Sequence, residues 1–310
     1  MILTITLNPA VDIGYQLDHL LIDTVNRVEV VSKTAGGKGL NVARVVRQLN
    51  EDIAASGFLG GQLGNFIRSE IKALGIKDFF VPIDGETRNC IAVIHEGKQT
   101  EILESGPIIS PKESKAFIEK FTDFLQQVEM ITISGSLPKG LTADFYLQLI
   151  EIANEHHKRV LLDVNGSLLQ NILKNDQKPF LIKPNEEELA EFIGKDSVSK
   201  DQVQDILSSS MFHGIPWIIV TLGKDGAIIK HHSTFYEVNV PTIQVVNPVG
   251  SGDAVIAGFS VGLARKMADE SLIKFGISMG VLNALEEKTG SVNPENINEM
   301  IPQIDVQRMK

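Results

Sequence analysis

Apolar positions along this chain follow two patterns that alternate. Val42, Val45, Val46 and Leu49 recur at i, i+3, i+4 and i+7, which places them on one face of a helix. The run from Ile53 to Phe58 then reads as a strand. Ile118, Phe121, Leu125 and Val128 mark a second helix, the run Met130–Ile133 a further strand, and residues 143–157 another helix. Val160–Asp163, Phe180–Ile182 and Trp217–Val220 repeat the theme. Short apolar runs separated by helices are how parallel strands buried on both faces appear in sequence. The pattern predicts an α/β fold, a mostly parallel sheet sandwiched by helices.

Two stretches break the rhythm. Within residues 11–33, Val28, Val30 and Ser32 alternate with Arg27, Glu29, Val31 and Lys33. Residues 88–105 read as a hairpin, Asn89–His95 and Thr100–Glu104 around a turn at Glu96, Gly97 and Lys98. Period-two segments with no helix between them predict antiparallel strands. They are expected to form a small β lid inserted in a single domain spanning 1–310, with Arg27 and Arg88 on its strands. Internal repeats, low-complexity segments and flexible linkers are not evident.

Composition narrows the function classes. At about 150 residues per domain, 310 residues suggest two domains or one large α/β domain. Lys and Arg number 29 against 39 Asp and Glu, a net charge of −10. Such a field disfavours a nucleic-acid or membrane partner, although a local basic pocket can still hold a small anion. A single cysteine, Cys90, excludes an intramolecular disulfide and a cysteine-bound metal cluster. The first residues read as a strand rather than a signal peptide, and no apolar run is long enough to cross a membrane, so a cytoplasmic location is expected. On that expectation the glycosylation sequon at Asn165 is chance. The pairs His156–His157 and His231–His232 diverge on any regular element, and no HExxH or GxSxG pattern occurs.

Four motifs carry candidate chemistry. Residues 247–254 join two glycines and a serine to an apolar helix through Val255, Ile256, Phe259 and Leu263. Gly250, Ser251 and Gly252 would let backbone amides at a helix start face an anion, with Asp253 in the first turn. The plain alternative is an acid set favourably against the helix dipole. The segment is neither a GxxxxGK[ST] loop nor a dinucleotide fingerprint, since Val255 takes the third glycine position. Residues 35–43 set Gly36, Gly37, Lys38 and Gly39 before a helix carrying Asn41, and three glycines exceed what an ordinary helix start requires. At residues 183–188, Asn185 and Glu188 have capping-box spacing, and their acids could instead help hold Mg²⁺. Residues 221–227, with Thr221, Gly223 and Gly226, place a glycine turn after a buried strand, either a ligand loop or a plain hairpin turn.

Taken together and in this order, the four motifs resemble the ribokinase-like, or PfkB, family of carbohydrate kinases over essentially the whole chain. Residues 36–41 resemble its N-terminal signature, and residues 247–258 its C-terminal signature DxxGxGD, with Asn247 departing at the first position. Residues 6–12 resemble the subgroup that acts on phosphosugars. Residues 25–28, 87–90 and 102–107 are most similar to the tagatose-6-phosphate kinases of the lactose and galactose route.

The resemblance implies that ATP phosphorylates the C1 hydroxyl of tagatose 6-phosphate, with Asp253 as general base and Gly250, Ser251 and Gly252 as anion hole. Asp12, Gly37 and Asn41 would hold sugar hydroxyls, and Arg27, Lys38, Arg88 and Ser136 the 6-phosphate. Lys183, Asn185, Glu188, Thr221, Gly223, Gly226 and Asn283 would surround ATP and Mg²⁺, with Glu188 reaching the metal through water. The family also binds a monovalent cation, K⁺, near the anion hole. A homodimer through the lid is implied, Arg27 reaching the neighbour's substrate phosphate. Read without the family, Arg27 and Arg88 are ordinary surface residues.

Within the family the alternatives are 1-phosphofructokinase and 6-phosphofructokinase. A non-catalytic regulator responsive to sugar phosphates is the alternative of another class, opposed by the intact Asp253. An NAD-dependent oxidoreductase is disfavoured by the missing GxGxxG.

Overall fold

The computed structural model describes residues 1–309. Strand β1 (Ile2–Thr6) is buried along its whole length, which is why it can lie inside a sheet rather than at its edge. It is followed by β2 (Ala10–Leu17), β3 (Val30–Gly36), α1 (Lys38–Gln48), β4 (Ile53–Leu59), α2 (Gly61–Ala73), β5 (Lys77–Asp78), β6 (Val81–Pro82), β7 (Arg88–His95) and β8 (Lys98–Leu103). The middle of the chain forms α3 (Pro111–Phe124), β9 (Met130–Ser134), α4 (Ala143–Glu155), β10 (Arg159–Asp163), α5 (Gly166–Leu173), β11 (Leu181–Ile182), α6 (Glu186–Ile193) and α7 (Lys200–Leu207). It closes with β12 (Trp217–Thr221), β13 (Ala227–His231), β14 (Thr234–Asn239), α8 (Ser251–Ala264), α9 (Asp269–Ala284), α10 (Ile297–Met300) and β15 (Asp305–Arg308).

The main sheet has 11 strands, in the order β15-β14-β13-β12-β11-β10-β9-β1-β4-β5, with β6 also on β4. Pairing is parallel from β5 to β12, as the buried runs predict. Beyond β12 it turns antiparallel, because the turn after Thr221 is a hairpin and β14 and β15 continue the meander. The central strands feed two cores. On one side Ile2, Leu161 and Ile219 meet α1, α2, α8 and α9. On the other, Leu3, Ile5, Ile131, Ile133 and Leu162 meet α3 to α7. Among the described residues, no helix is long and apolar enough to cross a membrane.

Helix α8 is apolar on all sides, and Asp253 to Leu263 are buried, so it must sit inside the protein. It packs between α1 and α9. A Cβ at Gly258 would come 2.8 Å from Gly276 Cα, so the close crossing of α8 and α9 depends on these small residues. Substitution there would push the start of α8 out of place.

The lid is a four-stranded sheet in the order β3-β2-β7-β8. Its two hairpins are antiparallel, as expected, but they join through a parallel β2–β7 pair. The physical reason is the chain path. α1, β4 and α2 intervene, so β7 enters from the same end as β2, as in any crossover connection. Strand β3 runs past residue 33 to Gly36. Arg27 lies in the exposed loop before β3, not on a strand. Val11 and Ile13 join the main core, with Tyr15 and Ile91 against it, so this face of the lid rests on α2. The opposite face carries Asp12 and Cys90 in register.

Candidate active site

The carboxyl ends of β9, β10, β11 and β12 deliver Ser134, Asp163, Lys183 and Thr221 to one rim of the sheet, where open α/β sheets bind ligands. Two helices start at the same rim. Helices α3, α5 and α6 are capped by the side chains of Ser110, Asn165 and Asn185. By contrast, α1 and α8 begin on Gly37 and Gly250 with no side-chain cap. Their free amides and positive dipole ends are left for something else.

Gly250 sits at φ +86°, and a Cβ there would lie 2.8 Å from Thr289 Cγ2, so the turn into α8 requires glycine. The amides of Gly250, Gly252 and Asp253 make no hydrogen bond among the described residues. The amide of Ser251 does, to Pro248 O at 3.2 Å. The amide set open to an anion is therefore Gly250, Gly252 and Asp253 rather than Gly250, Ser251 and Gly252. The loop is held from behind. Asn283 is buried and donates to Val249 O at 2.9 Å and to Ser251 Oγ at 3.4 Å, and accepts from Ser291 N at 3.2 Å. It braces this loop from behind. Asn247 acts likewise, accepting from Val249 N at 3.0 Å and donating to Glu287 O at 3.0 Å.

Asp253 is buried in the first turn of α8, and its Oδ2 accepts from Asn41 Nδ2 at 2.7 Å. Arg44 donates to Asn41 Oδ1, to Ala35 O at 2.5 Å and to Thr289 O at 3.1 Å, tying α1 to β3 and to the loop after α9. Burial pushes the Asp253 carboxyl up to about 7. The nearby Asp163 adds to the rise, and Lys38, Asn41 and Lys183 oppose it. A carboxyl that ionises near neutrality is suited to accept a proton from a hydroxyl.

Two lysines face these acids. Lys38 Nζ lies 3.4 Å from Glu188 Oε1 and 3.6 Å from Asp163 Oδ1. Lys183, itself buried, lies 3.3 Å from the same Asp163 oxygen, and a Cβ at Gly252 would meet its Nζ at 3.0 Å. Two ammonium groups thus converge on the uncapped end of α8. The expected capping box is present: Glu188 N donates to Asn185 Oδ1 at 2.7 Å, and Asn185 N donates to Glu188 Oε2 at 3.0 Å. Glu188 therefore caps α6 with one oxygen and turns the other toward Lys38. Thr221 N donates to Pro184 O at 3.2 Å, which ties this segment to the end of β12.

The lid adds Asp12, whose carboxylate lies against Gly36, where any Cβ would collide with it. Burial pushes Asp12 up to about 6, with Arg44 and Arg88 opposing. Arg88 donates to Asn8 O at 3.2 and 3.3 Å and to Glu104 O at 2.8 Å. Three of its five N–H groups are thereby engaged, and two remain for an anion.

The structure brings together Asp253, Asn41, Lys38, Lys183, Asn185, Glu188, Asp12, Gly37 and the 250–252 turn, with Arg88 at the lid hinge. Exposed Ser136 follows Gly135, which lies beside Lys38. Gly223 stands exposed at φ +56°, whereas Gly226 is buried beneath Val238 O and serves the hairpin turn. Arg27 stands exposed in the loop before β3. Sequence reasoning missed Asp163 and Arg44. Asp163 carries a signal, an acid closing an apolar run at a strand's carboxyl end, and Arg44 stands one helical turn after Asn41. Among the described residues no group of three metal-ligating side chains forms.

The sequence model of the pfkB family carbohydrate kinases matches residues 6–296. A Staphylococcus aureus protein provisionally named a phosphofructokinase is 29% identical, covering 100% of this chain and 99% of that one, with a TM-score of 0.86. A Thermotoga maritima protein provisionally named a 1-phosphofructokinase is 24% identical over 100% of this chain and 99% of that one, with a TM-score of 0.90. Escherichia coli phosphofructokinase-2 in complex with potassium is 24% identical over 97% and 98%, with a TM-score of 0.87. At these identities the last two establish likeness of fold.

Proposed function

The chain belongs to the pfkB family of carbohydrate kinases, and we propose that it transfers the γ-phosphoryl group of ATP to the C1 hydroxyl of a ketohexose 6-phosphate. The observation that carries this is Asp253, buried at the uncapped start of α8 beside free amides and two lysines. Asp253 takes the hydroxyl proton as the sugar oxygen bonds to the γ-phosphorus. The bond from that phosphorus to the β–γ bridging oxygen breaks, and ADP leaves. The amides of Gly250, Gly252 and Asp253, with Lys183 and Lys38, offset the charge on the phosphoryl oxygens in flight. Asp12 and Asn41 accept and donate to sugar hydroxyls. The free N–H groups of Arg88, with Ser136, hold the 6-phosphate.

Mg²⁺ fits the donors present as an ion carried mainly by nucleotide phosphates and water, with Glu188 Oε1 as its protein carboxylate. When bound, it neutralises charge on those phosphates. The potassium complex of the E. coli relative supports binding of a monovalent cation.

Fructose phosphates stand first as acceptors, supported by the S. aureus relative provisionally named a phosphofructokinase. Tagatose 6-phosphate is the second reading, favoured by residues 25–28, 87–90 and 102–107. Values of kcat/KM for fructose 6-phosphate, fructose 1-phosphate and tagatose 6-phosphate with Mg-ATP decide between them. A preference for fructose 1-phosphate would overturn the C1 assignment. ADP release with none of them would favour a regulator.

A homodimer through the lid belongs to the same proposal. Val30 is 60% exposed, Ile94 42% and Leu103 59%, a concentration of apolar surface on the lid face turned away from α2. A second copy paired about a two-fold axis would cover it. A monomer by sedimentation would dispose of this part.

A further inference from the structure

Resting on that kinase reading, we propose that Asp163 is a positioning residue of phosphoryl transfer, holding the ammonium groups of Lys38 and Lys183 in place at the start of α8. Asp163 closes β10 and is 1% exposed. Neither carboxylate oxygen has a hydrogen-bond partner of ordinary geometry. The Oδ1 atom is shared instead between Lys183 at 3.3 Å and Lys38 at 3.6 Å. Charge-assisted N–H···O bonds run to about 2.7–2.9 Å, so both contacts are long.

A buried acid serving only the fold would be fully hydrogen-bonded. Here one carboxylate links three segments that are distant in sequence: the start of α1, the end of β10 and the residue after β11. The two ammonium groups differ in setting. The Lys38 side chain is 41% exposed, on the open side, while Lys183 is 3% exposed beneath Gly252.

Two cations aimed at one incoming phosphoryl group repel each other until it arrives. A fixed anion behind them removes that difficulty and leaves both placed before the reaction, so no reorganisation is needed at the moment of transfer. Asp163 does not touch substrate in this arrangement; it acts through the lysines. The charged and polar groups around Asp253 are then Lys38, Asn41 and Arg44 from α1, Asp163 from β10, Lys183 after β11 and Glu188 from α6. Of these, Asp163 is the like charge that opposes ionisation of Asp253 most directly.

The test compares Asp163→Asn, Lys183→Met and the double variant with wild type. Asp163→Asn is expected to lower kcat by about tenfold or more, with KM for ATP and phosphosugar within about threefold, as for a loss confined to the transition state. The acid limb of the kcat profile should move to lower pH, because the amide no longer opposes Asp253 and the lysines are free to pair with it. Adding Asp163→Asn to Lys183→Met should cost much less in kcat than it does in wild type. An unmoved acid limb, or fully additive losses in kcat, would overturn the proposal.

If Asp163→Asn does not fold alone, the double variant is compared with Lys183→Met, and the same downward move of the acid limb decides. If wild type releases no ADP with any phosphosugar, the kinase reading fails by itself. The hold of Asp163 on Lys183 is then judged by melting. Asp163→Asn should lose several degrees in Tm, and the double variant should recover most of the loss. No loss, or no recovery, overturns that hold.

Discussion

The start of α8 and the lid are built in opposite ways. Around Asp253 the helix is buried on every side, Asn283 and Asn247 brace the turn, and Asn41 and Arg44 fix the carboxylate. The lid is one sheet thick, covered on one face by α2, with Val30, Ile94 and Leu103 exposed on the other. Charge transfer depends on geometry held to fractions of an ångström, which only a close-packed interior supplies. Recognition of the sugar requires a surface that can admit and release it. On the proposed function, the difference would put chemistry in the rigid region and acceptor choice in the thin one.

Breaking the rigid side should have the largest effect. Asp253→Asn is expected to lower kcat by about 10²–10⁴, the usual weight of a general base, while ATP binding measured by calorimetry changes little. Its Tm at pH 8 should be no lower than wild type. Folding raises the Asp253 and Asp12 carboxyls above their ordinary value of 3.8, to about 7 and about 6. Over that window the native state binds protons that the unfolded chain does not, so both groups oppose folding increasingly as pH rises. A kcat within a few-fold of wild type would remove Asp253 from the mechanism.

On the lid side, Arg88→Ala should raise KM for the phosphosugar by roughly 30- to 150-fold, equivalent to about 2–3 kcal/mol for a lost charge-assisted contact. KM for ATP should move little. Equal kinetics of wild type on a ketohexose and its 6-phosphate would remove the phosphate contact. Between these extremes lies pH. In the same rigid site, kcat/KM should fall about tenfold per unit below about 7, as Asp253 takes up its proton. A profile flat down to pH 5 would contradict the assignment.

The smallest effect sharpens the comparison most, because it asks whether the lid is shared between subunits. Mixing Arg27→Ala with Asp253→Asn subunits, each inactive alone, should restore about a quarter of wild-type activity if Arg27 acts across the two-fold axis. No recovery, despite exchange shown by mass spectrometry, would confine Arg27 to its own subunit or to the surface.

The same division marks what could be read from sequence. Buried strands, the anion-facing turn at Gly250–Gly252 and the capping box of Asn185 with Glu188 are local patterns, visible as periodicity and spacing. What escaped is set by pairing over distance. Nothing near Asp163 announces Lys38 or Lys183, and the parallel union of β2 with β7 depends on how the chain returns. The bonds of Asn283 to Val249 and Ser291 were likewise illegible, because its identity is local and its partners are not. Ser251 was misassigned to the amide set because a turn bond to Pro248 is decided by backbone angles that composition does not reveal.

The parallel β2–β7 joint also has a consequence for synthesis. The ribosome completes β3 at Gly36, whereas the partner hairpin ends at Leu103. At about 5–20 residues per second, the first half of the lid waits several seconds or more without its other half. Chains stalled before Arg88 should therefore be cut by protease within residues 10–36, and chains stalled well past Leu103 should be protected. Apolar residues such as Val30 and Val31, which the finished lid still leaves exposed, are accessible to chaperones from the moment they emerge.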